Sequence, residues 1–180
     1  MKKSFIYRFI NHFKTITKHK ILVCKYCFKL GLYKQGIMHD LSKYTHTEFI
    51  PGVKYFQGNR SPIDKEKELY GFSDAWLHHK GRNKHHWEYW YDFTSTGYGP
   101  LEMPLEYVCE MICDRVSACR TYLKEDYKDD SALIYFTSRL SGTPMHPKTE
   151  KLIHKLLSYI KDYGEEEGLK KIKEDRKSVV

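Results

Sequence analysis

Five of the chain's ten histidines fall in three tight groups: His39 beside Asp40, the pair His78-His79, and the pair His85-His86. Imidazole and carboxylate are the common ligands of borderline and hard first-row metals, and groups far apart in sequence converge when helices pack. Adjacent residues on a helix point about 100° apart, so each His-His pair is expected to offer one ligand. His79 and His86 are the favoured members, because Trp76 shares a face with the first and Asn83 with the second. His19 lies on an apolar helical stripe, where a polar imidazole needs a partner: a hydrogen bond within the core or a metal. Asp114, inside the largely apolar stretch Met111–Val116, calls for a metal, a cation or backbone donors.

Around these groups stand Lys43, Lys80, Arg82 and Arg60. Each is either solvated surface or a holder of phosphate oxygens, the guanidinium groups in bidentate fashion. Function is expected of Lys43 and Arg82, which sit inside the ligand motifs. Trp76, Trp87, Tyr89, Trp90 and Tyr91 crowd the same region; core packing is the expectation for them, and stacking on a nucleobase the alternative. Glu48 and Glu88 are candidates to orient ligands from behind, with exposed or capping roles as the default.

The elements that must position these residues read as helices. Phe5, Phe9, His12, Ile16, His19, Val23, Tyr26 and Leu30 recur at steps of four and three, and Gly31 supplies a stop. A short helix is expected over Gln35 to Lys43, and Thr45-His46-Thr47-Glu48 has capping-box spacing for a turn that Pro51-Gly52 interrupts. Ser61-Pro62 opens another helix, Ser73 caps the one ending in His78-His79, and Asn83 caps one holding His85 to Tyr91. Thr94 to Met103 reads as the longest loop. Pro104 starts a long helix through Leu123; helices over Ser131 to Leu140 and Pro147 to Tyr163 follow, with Gly164 as C-cap. No stretch alternates like a strand. The expectation is all-α: one helical domain over 1–180, its core within 17–160 and a charged tail over 165–180 that either continues as helix or frays.

The composition suits a globular chain, 41% hydrophobic and 30% charged. No apolar run approaches the roughly 18 to 20 residues that span a bilayer, and the opening residues lack the apolar core of a signal peptide. Five cysteines, an odd number, argue against a disulfide framework. Cys24, Cys27, Cys109, Cys113 and Cys119 are expected as core thiols in a cytoplasmic protein. The net charge of +8, much of it between Lys2 and Lys29, favours anionic partners without choosing among phosphorylated small molecules, nucleic acid and lipid.

The order His19, His39-Asp40, two His-His pairs, then Asp114 resembles the HD superfamily of metal-dependent phosphohydrolases. His39-Asp40-Leu41-Ser42-Lys43 is similar to its His-Asp-(Ile/Leu)-Gly-Lys motif, with Ser42 in place of glycine, and Cys113-Asp114-Arg115-Val116-Ser117-Ala118 is similar to its late helix. The chain also resembles, over residues 17–160, a family of small proteins without an established activity. Its marks here are His39 to Lys43, Tyr55 to Pro62 and His78 to Trp90.

The HD resemblance implies a metal centre of His19, His39, Asp40, His79, His86 and Asp114, with His12 as the alternative to His19. One or two divalent cations would bind there, and iron, manganese, magnesium, zinc and cobalt are all compatible. Asp40, Lys43 and Arg82 would carry catalysis. The expected function is hydrolysis of a phosphomonoester or nucleotide by metal-activated water. The alternatives are a di-iron oxygenase of HD-like fold and a non-catalytic nucleic-acid-binding module with a structural metal.

Overall fold

Ser4 accepts a hydrogen bond from the Tyr7 amide and so caps the first helix, α1 (Phe5–Lys29), which ends where Gly31 takes a left-handed φ of 75°. From His12 onward the sequence stripe faces inward, with His12, Ile16, His19, Val23, Tyr26 and Leu30 all buried. The computed structural model describes residues 4–140 and 143–178. Its helices continue as α2 (Tyr33–Met38), α3 (His46–Lys54), α4 (Pro62–Tyr70), α5 (Asp74–Lys80), α6 (Leu105–Leu123), α7 (Ser131–Ser138) and α8 (Pro147–Ser178). The fold is mostly α, as the periodicity predicts.

The core forms where α1, α6 and α8 meet. Val23, Cys27 and Leu30 pack with Val108, Ile112, Cys113 and Val116, and with Ile153, Leu156 and Ile160. Burial of this kind contributes about 1.5–3 kcal/mol for each large aliphatic side chain. Cys27, Cys109 and Cys113 are buried thiols, and Cys24 and Cys119 are half-buried. α3 packs on α1, and α4 and α5 pack on α3, forming a second layer.

Four expectations change. The loop before α6 contains a hairpin of β1 (Tyr91–Thr94) and β2 (Gly97–Pro100), in register Tyr91 to Pro100 and Thr94 to Gly97. Strands this short and this exposed have no core face, so they leave no alternation to read. α3 runs through Pro51-Gly52 to Lys54, and its Thr45 bonds back to the Ser42 carbonyl rather than forming a capping box. Gly164 does break α8, at φ 74°, but helix resumes after it. The resumed helix is the first of the two alternatives for the tail, and it carries the core past residue 160: Leu169 and Ile172 are buried and Arg176 donates to the Leu30 carbonyl. Gly168 permits the close return: a Cβ there would stand 2.7 Å from the Tyr159 carbonyl oxygen.

His12 shows how tightly α1 and α3 meet. A Cβ on Gly52 would lie 2.2 Å from its Nε2, and Phe49 and Phe56 flank its ring. Burial, helped by the Lys43 charge, lowers its pKa from 6.5 to about 4. The unfolded chain therefore binds a proton that the folded chain refuses between those values, and stability rises with pH across the window. The contribution is complete above pH 6.5 and is lost as pH falls through about 4. Its size is about 3 kcal/mol, from ~1.4 kcal/mol per unit. Urea unfolding of wild type and His12→Asn at pH 7 and pH 4.5 checks this: the variant should lose less stability on acidification. Equal losses would remove His12 as the cause.

Candidate metal centre

His39 and Asp40 lie just beyond a helix rather than within one. α2 stops at Met38, His39 is its C-cap, and Asp40 adopts a left-handed φ of 52° before a single 3-10 turn, Leu41–Tyr44. The helix expected through Lys43 ends early because Lys20 Nζ takes the carbonyls of Ile37 and His39, at 2.6 and 2.7 Å. Gly36 lets α2 press against α1, where a Cβ would meet Cys27 Cβ at 3.0 Å. Aspartate tolerates the left-handed region better than most residues. The turn sends both side chains inward, leaving each residue 1% exposed.

Around Asp40 two groups of possible ligand atoms form, each with its atoms within 4.8 Å of one another. The first comprises His19, His39, Asp40 and Asp114; the second comprises Asp40, His79, His85 and His86. His39 Nε2 stands 3.3 Å from Asp40 Oδ2 and 3.5 Å from Asp114 Oδ1, while His19 Nε2 is 2.9 Å from the same Asp114 oxygen. On the other side His79 Nε2 and His85 Nε2 approach Asp40 Oδ1 at 3.3 and 3.5 Å. Asp40 is common to both groups. All six residues singled out as metal ligands in the sequence are thus brought together, and His12, two turns from His19, packs elsewhere.

Carboxylates behind the imidazoles set their orientation. His39 Nδ1 donates to Glu110 Oε1 at 2.9 Å, and His85 Nδ1 lies 3.1 Å from the same oxygen. Glu48 spans two residues of α5, accepting from His78 Nδ1 at 2.7 Å and His79 Nδ1 at 2.8 Å. A carboxylate only accepts, so the Nδ1 atoms carry protons and the Nε2 atoms of His39, His79 and His85 face the centre. A third possible ligand group, His39, His85 and Glu110, is this orienting array.

The fit to a cation shows in what lacks a partner. His39 Nε2, His85 Nε2, His86 Nε2 and both Asp40 oxygens are buried without a hydrogen bond, although Lys43 Nζ forms an ion pair with Asp40 Oδ2 at 2.5 Å. Buried polar atoms left unpaired cost about 1–3 kcal/mol each, and here they converge. Burial opposes charge on His39, but Asp40, Asp114 and Glu110 outweigh it and hold the imidazole well above its usual range. Burial likewise raises the Asp40 carboxyl, yet His39, Lys43 and His79 hold it well below the usual carboxylate range. His86 is pushed well down by burial and by the charge of His85 and His79. An entering cation has to displace the His39 proton.

Sequence reasoning missed two members of the centre. The expectation of one ligand from each pair, with His86 favoured over His85, fails here: both lie in a turn before the 3-10 segment Trp87–Tyr89, and both point inward. Glu110 sits four residues before Asp114, on one face of α6, and that spacing is the signal that could have found it. Arg82 does not join the centre; it is exposed just past the end of α5. Arg60 is engaged by Glu68 and Gln57, and Lys80 is half-buried. The Trp76 ring stands 5.7 Å from that of His79 and 4.8 Å from that of His86, forming a wall, while Trp87 and Trp90 pack on the core. Cys24 and Cys27 belong to no ligand group among the described residues.

In comparisons with known proteins, the profile of a family of unknown function (DUF5662) matches residues 8–159. No curated protein and no solved structure matches the chain.

Proposed function

We propose that this chain, which belongs to the family of unknown function DUF5662, is a metal-dependent hydrolase of phosphomonoesters or nucleotides. The observation that carries this reading is Asp40, shared by two ligand groups in which His39 Nε2, His85 Nε2, His86 Nε2 and the Asp40 oxygens are buried without a hydrogen bond. A histidine-rich set suits iron or zinc better than magnesium. The order of the ligands along the chain, similar to that of the HD superfamily, supports phosphate-ester chemistry over other metal chemistries.

A divalent cation, when bound, supplies an acidified water and offsets charge on phosphoryl oxygens. His19, His39, Asp40 and Asp114 would hold one cation, and Asp40, His79, His85 and His86 a second. Glu110 and Glu48 keep three of those imidazoles turned toward it. Lys43, next to Asp40 and held protonated by that carboxylate against the cost of burial, is the cation available to a phosphate oxygen. Arg82, exposed, has no part in this scheme.

Chelation followed by reconstitution tests the reading. Phosphate release from p-nitrophenyl phosphate and from nucleoside monophosphates should vanish after chelation and return with at least one transition metal. Protein that purifies without metal, and gains no phosphate release from any added metal, would sink it. A carboxylate shared between two groups also suits a pair of irons, so a di-iron oxygenase is the second reading. An absorbance change on admitting dioxygen to ferrous protein, with no phosphate release, would select it.

A further inference from the structure

α1 carries two apolar stripes; the protein covers one of them and meets the other only in part, at Phe13, where Tyr44 and Phe49 approach the ring. The inner stripe holds His12, Ile16 and Val23 against the rest of the fold. The outer one, Ile6, Ile10, Phe13, Ile21 and Phe28, recurs at helical spacing on the other side. Ile10 and His19, nine residues apart, sit about half a turn out of phase at ~100° per residue. Ile6 and Ile21 are 69% and 65% exposed, and Ile10, Phe13 and Phe28 are each more than 40% exposed. Phe28 meets Tyr33 edge-on, 5.2 Å between centroids, and so carries the face onto α2, where Tyr33 and Ile37 are also exposed. A largely uncovered apolar strip of this length marks an interaction surface.

Its charge selects the partner. The chain up to Asp40 holds nine Lys and Arg residues and no Asp or Glu. Lys14, Lys18 and Lys25, all exposed, line one edge of the stripe. A second copy would bring two cationic faces together. Nucleic acid would satisfy the lysines but gives Ile6 and Ile21 nothing apolar to enter. An anionic bilayer offers both phosphate headgroups and an acyl boundary. Among the described residues no helix is long and apolar enough to cross a membrane, which fits a helix lying on the surface.

We propose that the outer face of α1 docks flat on an anionic lipid surface, with Ile6, Ile10, Phe13, Ile21 and Phe28 entering the acyl boundary and the flanking lysines at the headgroups. The inference does not depend on the metal centre.

Co-sedimentation of the full chain with vesicles tests it. Binding is expected to phosphatidylcholine vesicles containing phosphatidylserine, to weaken with salt, and to be absent with phosphatidylcholine alone. Ile10→Asp/Ile21→Asp should abolish it, and Lys14→Gln/Lys18→Gln should weaken it roughly 30-fold. Both variants alter exposed side chains, and the lysine pair decides the matter if the isoleucine pair folds poorly. Failure to bind the anionic vesicles would overturn the proposal. So would a concentration-dependent dimer lost in Ile10→Asp/Ile21→Asp, or binding to duplex nucleic acid in place of vesicles.

Discussion

Asp40→Asn is expected to bring the metal content of the purified protein to background and phosphate release with it. Asp40 is the one side chain common to both ligand groups, and both its oxygens are buried without a hydrogen bond. Asparagine keeps the side-chain shape and tolerates the φ of 52° that Asp40 adopts, so the change removes charge without straining the turn. His39 can answer the lost charge by giving up its proton, which limits destabilisation. Affinity should fall at least about 100-fold, beyond the range typical for losing an outer partner. Asp40→Ala should lose metal equally and also melt earlier, because a left-handed alanine costs about 1–2 kcal/mol. Elemental analysis alongside thermal melting separates the two effects. Equal metal in wild type and Asp40→Asn would end the case for this centre.

Glu110→Gln should weaken metal binding 10–100-fold with every inward nitrogen still present. One Glu110 oxygen serves both His39 and His85. A glutamine oxygen in the place of Oε1 can still accept from both imidazoles, but the charge that fixed both tautomers is gone. His79 answers to Glu48 instead, so any site that relies on His79 and His86 should keep more of its affinity. Competition with a chromophoric chelator would reveal the split as one weakened phase beside one less affected. A purely structural Glu110 would lower the melting temperature and leave the titration unchanged.

The parts of the molecule legible in the sequence are those governed by long periodic burial. α1 follows its apolar stripe from His12 onward and α6 follows its own through Val108, Ile112 and Val116, and Gly31 and Ser73 mark real helix ends. The convergence of the candidate ligands was legible because chemistry-bearing residues came in groups, His39-Asp40 and the two His pairs. What failed had local causes. The rule that helical neighbours diverge excluded His85, but residues 81–86 are turn, where it does not apply. Arg82 stood among the ligands in sequence and turned outward in space. Glu48, by spacing half of a capping box and also a candidate to orient ligands, takes the second role, accepting from His78 and His79.

The ligand residues span positions 19 to 114, drawn from α1, the turn after α2, α5, the turn after it, and α6. No short stretch of unfolded chain can reproduce that set, so a cation taken up there favours the folded form. Occupancy and folding are then one equilibrium, with about 2.7 kcal/mol added when free metal stands at 100 times its dissociation constant. A cell short of that metal would hold this chain closer to its unfolding threshold and lose more of it to proteolysis. Its abundance would then report the supply of the ion.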